Sequence, residues 1–103
     1  MKVKFSTVIM DLSGKPVPDP ESNEAEKVAT YRRMAVRALM VDTQGDKPEQ
    51  KLTRFALALK ISDGSDGLSV DEAKLLLDRV KQVCSTLLVG RFDQLLNGSA
   101  PAE

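Results

Sequence analysis

Four acidic residues, Asp63, Asp66, Asp71 and Glu72, fall within ten consecutive positions and are interleaved with Gly64, Ser65, Gly67 and Ser69. Closely spaced oxygen ligands beside glycine suggest a calcium loop, which in the helix–loop–helix hand needs glycine at its sixth position and a bidentate Glu at its twelfth. The register does not close. With Gly67 sixth, the twelfth residue is Ala73; with Glu72 twelfth, the sixth is Asp66. A plainer use accounts for the same residues. Gly64 and Gly67 turn the chain, and Ser69 with Glu72 three positions later makes a capping box for the helix that follows. No metal site is expected.

Nucleophilic chemistry is equally short of parts. The chain holds one cysteine, Cys84, and no histidine. Neither a Cys–His nor a Ser–His–Asp arrangement can be built, and zinc lacks its usual ligands. Cys84 falls near an apolar helical stripe, the setting of a buried structural thiol. Acidic pairs such as Asp71 with Glu72, or Glu24 with Glu26, lie in helix first turns, where negative charge meets the positive end of the helix dipole. Gly64 and Gly67 lack the lysine and the spacing of a phosphate-binding loop. Chemistry resting on carboxylates alone is the one enzymatic option left. The expectation is a non-enzyme without a cofactor.

Basic residues raise a different possibility. Arg32, Arg33 and Arg37 share much of one helix surface, which Lys27 and Lys51 extend, and clustered Lys and Arg are what phosphate binding needs. Glu24 and Glu26 lie just upstream, however. Of the aromatics Phe5, Tyr31, Phe55 and Phe92, three fall on stripes assigned to the core, which leaves little for base stacking. Lys plus Arg number 15 and Asp plus Glu number 15, so no overall field draws the chain toward polyanions.

The elements that would position these groups follow from periodicity. Residues 2 to 12 alternate in places, with Val3, Phe5 and Ile9 apolar, and predict a strand. Ser13-Gly14 predicts a turn, and Lys15 to Val17 a short return strand confined to an edge, because Pro16, Pro18 and Pro20 forbid a regular ladder. A first helix is expected from an Asn23 cap with Glu26 at its third position, burying Val28, Tyr31, Ala35, Ala38 and Leu39, widened by Met34 and ended by Gly45. Asp46 opens a second helix with Pro48 in its first turn, whose expected buried stripe is Leu52, Phe55, Ala56 and Leu59. Ser69 opens a third, along which Ala73, Leu76, Leu77, Val80, Val83 and Leu87 repeat at helical steps. Ser85-Thr86 marks a break, and Leu88, Phe92, Leu95 and Leu96 continue the apolar face to Asn97-Gly98.

The expected fold is therefore mainly α: three to four helices with a small N-terminal β-hairpin, α+β in the broad sense. Residues 1–98 form a single domain, with the hairpin and a proline-rich connection over 1–20 and helices over 22–98. Residues 99–103 form a disordered tail. A length of 103 residues suits one modest core. The N-terminus lacks the uninterrupted apolar region of a signal peptide, no stretch reaches the length of a membrane span, and a solitary thiol suits a reducing cytoplasm.

Surplus apolar residues point to a partner. Leu75 and Val89 fall off the main stripes, and Val36, Met40 and Val41 widen the apolar arc of the first helix. A helix apolar nearly all round must be covered on two sides, by other helices of the chain, by a second copy or by another protein.

In three places the chain resembles small accessory proteins of tailed bacteriophages and prophages: the turn Asp11-Leu12-Ser13-Gly14-Lys15-Pro16, the helix from Lys51 to Ile61, and the segment from Leu68 to Leu96 with its Leu-Ser-Val-Asp-Glu start and Leu-Leu-Val-Gly-Arg-Phe continuation. These are packing and capping signatures. The resemblance implies a phage or prophage origin, with tail-assembly chaperones and host-factor inhibitors as the kinds of role such genomes encode, acting in the host cytoplasm. It assigns no functional residues. The expected function is binding to a phage or host protein, through the hairpin edge and a first-helix surface that includes Arg32, Arg33, Arg37, Val36 and Met40. A homo-oligomer is a further possibility, membrane contact is not expected, and nucleic-acid binding through the arginines is the alternative.

Overall fold

The computed structural model describes residues 2–19 and 28–97. Among these residues four helices follow in order: α1 (Tyr31–Met40), α2 (Pro48–Ser62), α3 (Val70–Val83) and α4 (Thr86–Asn97). Helix α1 packs on α2 and α3, and α4 packs on α3. No helix among the described residues is long and apolar enough to cross a membrane.

The expected hairpin is not formed; the described residues contain isolated bridges and no sheet. Met10 bridges Pro16, Pro18 bridges Val28, and Val8 bridges Thr30, all antiparallel. The prolines supply the reason. Flanked by Pro16 and Pro18, Val17 is the one N–H donor of its stretch, so no ladder can propagate. Its N–H donates to the Ile9 carbonyl at 2.9 Å, the Ile9 N–H to the Ala29 carbonyl at 2.9 Å, and the Ala29 N–H to the Val17 carbonyl at 2.7 Å. Three extended segments thus meet in a closed ring of single hydrogen bonds. Asp11 shapes the turn between the first two: its carboxylate accepts from the N–H groups of Ser13 and Lys15 and from the Ser13 hydroxyl. Those bonds, led by the one from Lys15, hold its pKa below the ordinary value. Gly14 completes the turn at a φ of +85°, a region that favours glycine.

Helix α1 begins later than its periodicity suggests. The Asn23–Glu26 cap lies outside the described residues, and Val28 to Thr30, assigned to the helix by spacing, are extended. Thr30 is the cap: its hydroxyl accepts from the Arg33 N–H at 3.2 Å. The N–H groups of Tyr31 and Arg32, which a helix leaves without internal partners, donate to the carbonyls of Thr7 and Phe5. The N-terminal segment therefore completes the helix start, and it buries Val3, Phe5 and Ile9 in the same core as Tyr31, Met34, Ala35, Ala38 and Leu39.

Helix α3 follows its predicted pattern. Ser69 accepts from the Glu72 N–H, the Glu72 carboxylate accepts from the Ser69 N–H, and Ala73, Leu76, Leu77 and Val80 are buried. The break falls at Cys84 and Ser85, as the Ser85-Thr86 signal suggests. Beyond it, α4 turns Phe92 and Leu96 inward, and the Phe92 ring meets Tyr31 edge-on at a centroid distance of 5.2 Å.

Helix α2 overturns an expectation. Its buried side chains are Arg54, Leu57, Ala58 and Ile61, whereas Leu52, Phe55, Ala56 and Leu59 are exposed. Both sets recur at helical spacing, so α2 carries two opposed apolar stripes. The inner one includes an arginine, which made the outer one look like the core side.

Candidate interaction surface

Among the described residues, the outward stripe of α2 is the largest group of apolar side chains left uncovered on one element. Leu52 is 70% exposed, Phe55 51% and Leu59 50%. They stand at i, i+3 and i+7 with Ala56 between, so they share one helix face. Met40, from the last turn of α1, is 51% exposed and borders a hollow of about 260 Å³ that Leu52 and Phe55 also line. On the other flank Leu52 and Ala56 edge a hollow of about 440 Å³ whose far wall is Leu75 and Glu72. The result is an apolar ridge between two shallow grooves, rimmed by Lys51 and Asp42 3.9 Å apart on one side and by the Lys60–Glu72 ion pair at 2.8 Å on the other.

What holds this ridge outward is the burial of Arg54 on the opposite face. Its Nε donates to the carbonyl of Leu39 at the end of α1, and its two terminal nitrogens reach both oxygens of Asp46, one at 2.9 Å and one at 3.3 Å. Arg54 thus satisfies a helix C-terminus and neutralises itself, two conditions a buried guanidinium needs. Asp46 also accepts from the hydroxyl and N–H of Thr43. The bonds from Arg54, then those from Thr43, depress its pKa far below the ordinary carboxylate range. Asp46 was the expected opener of α2; Lys47 takes that place, its N–H donating to the Gln50 side chain. Arg79 of α3 completes the junction by donating to the Val41 carbonyl and to the Thr43 hydroxyl. Burial, with the Arg54 charge beside it, lowers the Arg79 pKa. Its Nε is buried without a hydrogen-bond partner. A polar cleft of about 520 Å³ lies over this junction.

No protein-family model, curated protein or solved structure matches the chain.

The residues singled out from sequence are dispersed. Arg32 turns toward the end of α2, where its Nε donates to the Ile61 carbonyl at 2.9 Å and its Nη2 to Asp66 at 2.8 Å, with its guanidinium 5.8 Å above the Phe5 ring. Arg33 and Arg37 turn toward Asp19, at 2.7 Å and 2.9 Å, and the Asp19 side chain is wholly buried beneath them. With Arg91 donating to the carbonyls of Met10 and Asp11, all six arginines of the chain bind acceptors within it. Val36 is half-buried against the core. Of the five, only Met40 joins the ridge.

The acidic loop is likewise committed. Asp66 holds Arg32, and Glu72 accepts from Lys60 and from the Ser69 N–H, which lower its pKa in that order. Among the described residues no three acidic or cysteine side chains converge on a point where a metal could sit. Cys84 is half-buried, and burial raises its pKa, which keeps the thiol protonated.

Leu52, Phe55 and Leu59 are the surface residues that sequence reasoning placed in the core. The available signal was the rival stripe Leu57, Ala58 and Ile61, read together with Asp46 eight residues before Arg54. An acid and a base at that separation can close a short connection and carry the arginine inside.

Proposed function

We propose that this protein acts without catalysis by binding another protein, and that the apolar ridge of α2 with Met40 is the surface it presents. The supporting observation is the ridge itself: three large side chains, each half or more exposed, on a helix whose other face is already buried. An uncovered apolar stripe of this kind marks interaction sites on soluble proteins. The phage or prophage setting rests on the resemblance of three segments, and with it the partner is a phage or host component, in the manner of an assembly chaperone or a host-factor inhibitor.

Nucleic-acid binding through Arg32, Arg33 and Arg37 has less support. Each of these groups would have to leave an internal carboxylate to meet a phosphate. The two readings separate in one experiment. Tagged protein and its Leu52→Asp variant are used to capture partners, and any recovered protein is purified and titrated against both by calorimetry. A defined stoichiometry with the native chain, lost in the variant and insensitive to salt, supports the ridge. Binding of a labelled oligonucleotide that falls steeply with salt and vanishes in Arg33→Ala would instead favour the arginines.

A further inference from the structure

The ridge has a symmetry that suits one occupant in particular. Reading along α2, Leu52 and Leu59 stand equidistant from the midpoint between Phe55 and Ala56. An antiparallel copy related by a two-fold axis through that midpoint lays Leu52 against the partner's Leu59, with Phe55 beside the partner's Phe55 on one flank and Ala56 beside the partner's Ala56 on the other. Charge follows the same symmetry. Glu49 in the first turn and Lys60 in the last occupy the same flank of the stripe. In the antiparallel pair Glu49 stands level with the partner's Lys60 to within roughly 3 Å along the axis, two residues' rise, close enough for their side chains to meet, and the contact occurs twice. Lys60 already donates to Glu72 at 2.8 Å, and an ammonium group has donors for both. Lys51 lies on the other flank, where it faces the partner's exposed Ser62 and no like charge. Opposed helix dipoles favour the same direction.

Area fits a modest association. Leu52, Phe55, Leu59 and Met40, each half or more exposed, offer on the order of 500 Å² of side-chain surface. Two copies bury about 1,000 Å², the lower end of specific interfaces.

We propose that the α2 ridge is the interface of an antiparallel homodimer, in which Leu52 packs on the partner's Leu59 and Glu49 pairs with the partner's Lys60. The inference rests on the binding reading above and names the first occupant of its surface, one that any other protein must displace.

Sedimentation equilibrium of the full chain tests it, from low micromolar to submillimolar concentration. The native protein should pass from monomer to dimer over that range, and Leu52→Asp should weaken the dimer by about tenfold or more. Leu52 is exposed, so that variant should keep its fold by circular dichroism. Glu49→Lys should weaken self-association, and mixing it with Lys60→Glu should give a heterodimer tighter than either variant alone. A native protein that stays monomeric throughout overturns the homodimer, as does a dimer that Leu52→Asp leaves unchanged. Either result leaves the binding reading standing, which fails separately if Leu52→Asp also binds a purified heterologous partner as the native chain does.

Discussion

The two faces of α2 make unequal demands on stability, and alanine substitution at five positions measures the inequality. Leu57 and Ile61 are 3% and 0% exposed. Replacing either removes buried methylenes and leaves a cavity, at a cost of about 2–5 kcal/mol. Leu52 is 70% exposed. A fully buried leucine side chain is worth about 1.5–3 kcal/mol, so the fraction Leu52 buries is worth less than about 1 kcal/mol, and no cavity follows its loss. Phe55 and Leu59, half exposed, should cost about 1 kcal/mol each on the same reasoning. Urea unfolding followed by helical circular dichroism resolves the contrast. With a slope of roughly 1–3 kcal/mol per molar, a loss of about 3 kcal/mol at Ile61 moves the midpoint by about 1–3 M, and Leu52→Ala by a few tenths. The measurement belongs at dilute protein, where association adds nothing by mass action. If Leu52→Ala shifted the midpoint as far as Ile61→Ala, α2 would face the other way and the ridge would be core.

Three further outcomes are expected. Arg33→Ala and Arg37→Ala should each destabilise the fold by about 1 kcal/mol, a charge-assisted bond discounted for partial exposure, read by urea unfolding; if instead they abolish oligonucleotide binding with stability unchanged, the Asp19 clamp is not their role. Asp46 has its folded pKa depressed, so the stability it contributes is complete above the ordinary carboxylate pKa near ~4 and is lost as pH falls below it. Unfolding midpoints measured from neutral pH down to about 2, spanning that value, should show a steeper acid limb for the native chain than for Asp46→Asn. Ser69→Ala removes one half of the α3 capping box and should cost about 1 kcal/mol in the same assay, with Ser69→Gly costing less.

Legibility in the sequence followed the number of rival explanations at each segment. Helix α3 has one apolar stripe, a capping box at its start and a break at its end, and all three were readable. Helix α2 has two stripes, and periodicity cannot choose between them; the choice is made by Arg54, whose burial depends on Asp46 and on the open carbonyl of Leu39. That is a tertiary fact. At the N-terminus the alternation of Val3, Phe5 and Ile9 correctly marked inward residues but not their pairing, because prolines at 16 and 18 leave too few donors for a ladder. The Arg32, Arg33 and Arg37 cluster looked like one basic face because a helical wheel shows where side chains start. Asp19 and Asp66, distant in sequence, decide where they end.

The three-membered ring of Ile9, Val17 and Ala29 bears on how the protein can be divided. Each residue gives its amide to the next and takes one from the last, so withdrawing any limb strands a donor on one neighbour and an acceptor on the other. The same stretch lends its carbonyls at Phe5 and Thr7 to the opening turn of α1. A fragment cut down to the four helices is therefore not a smaller edition of this molecule; it lacks the backbone framework against which its first helix starts.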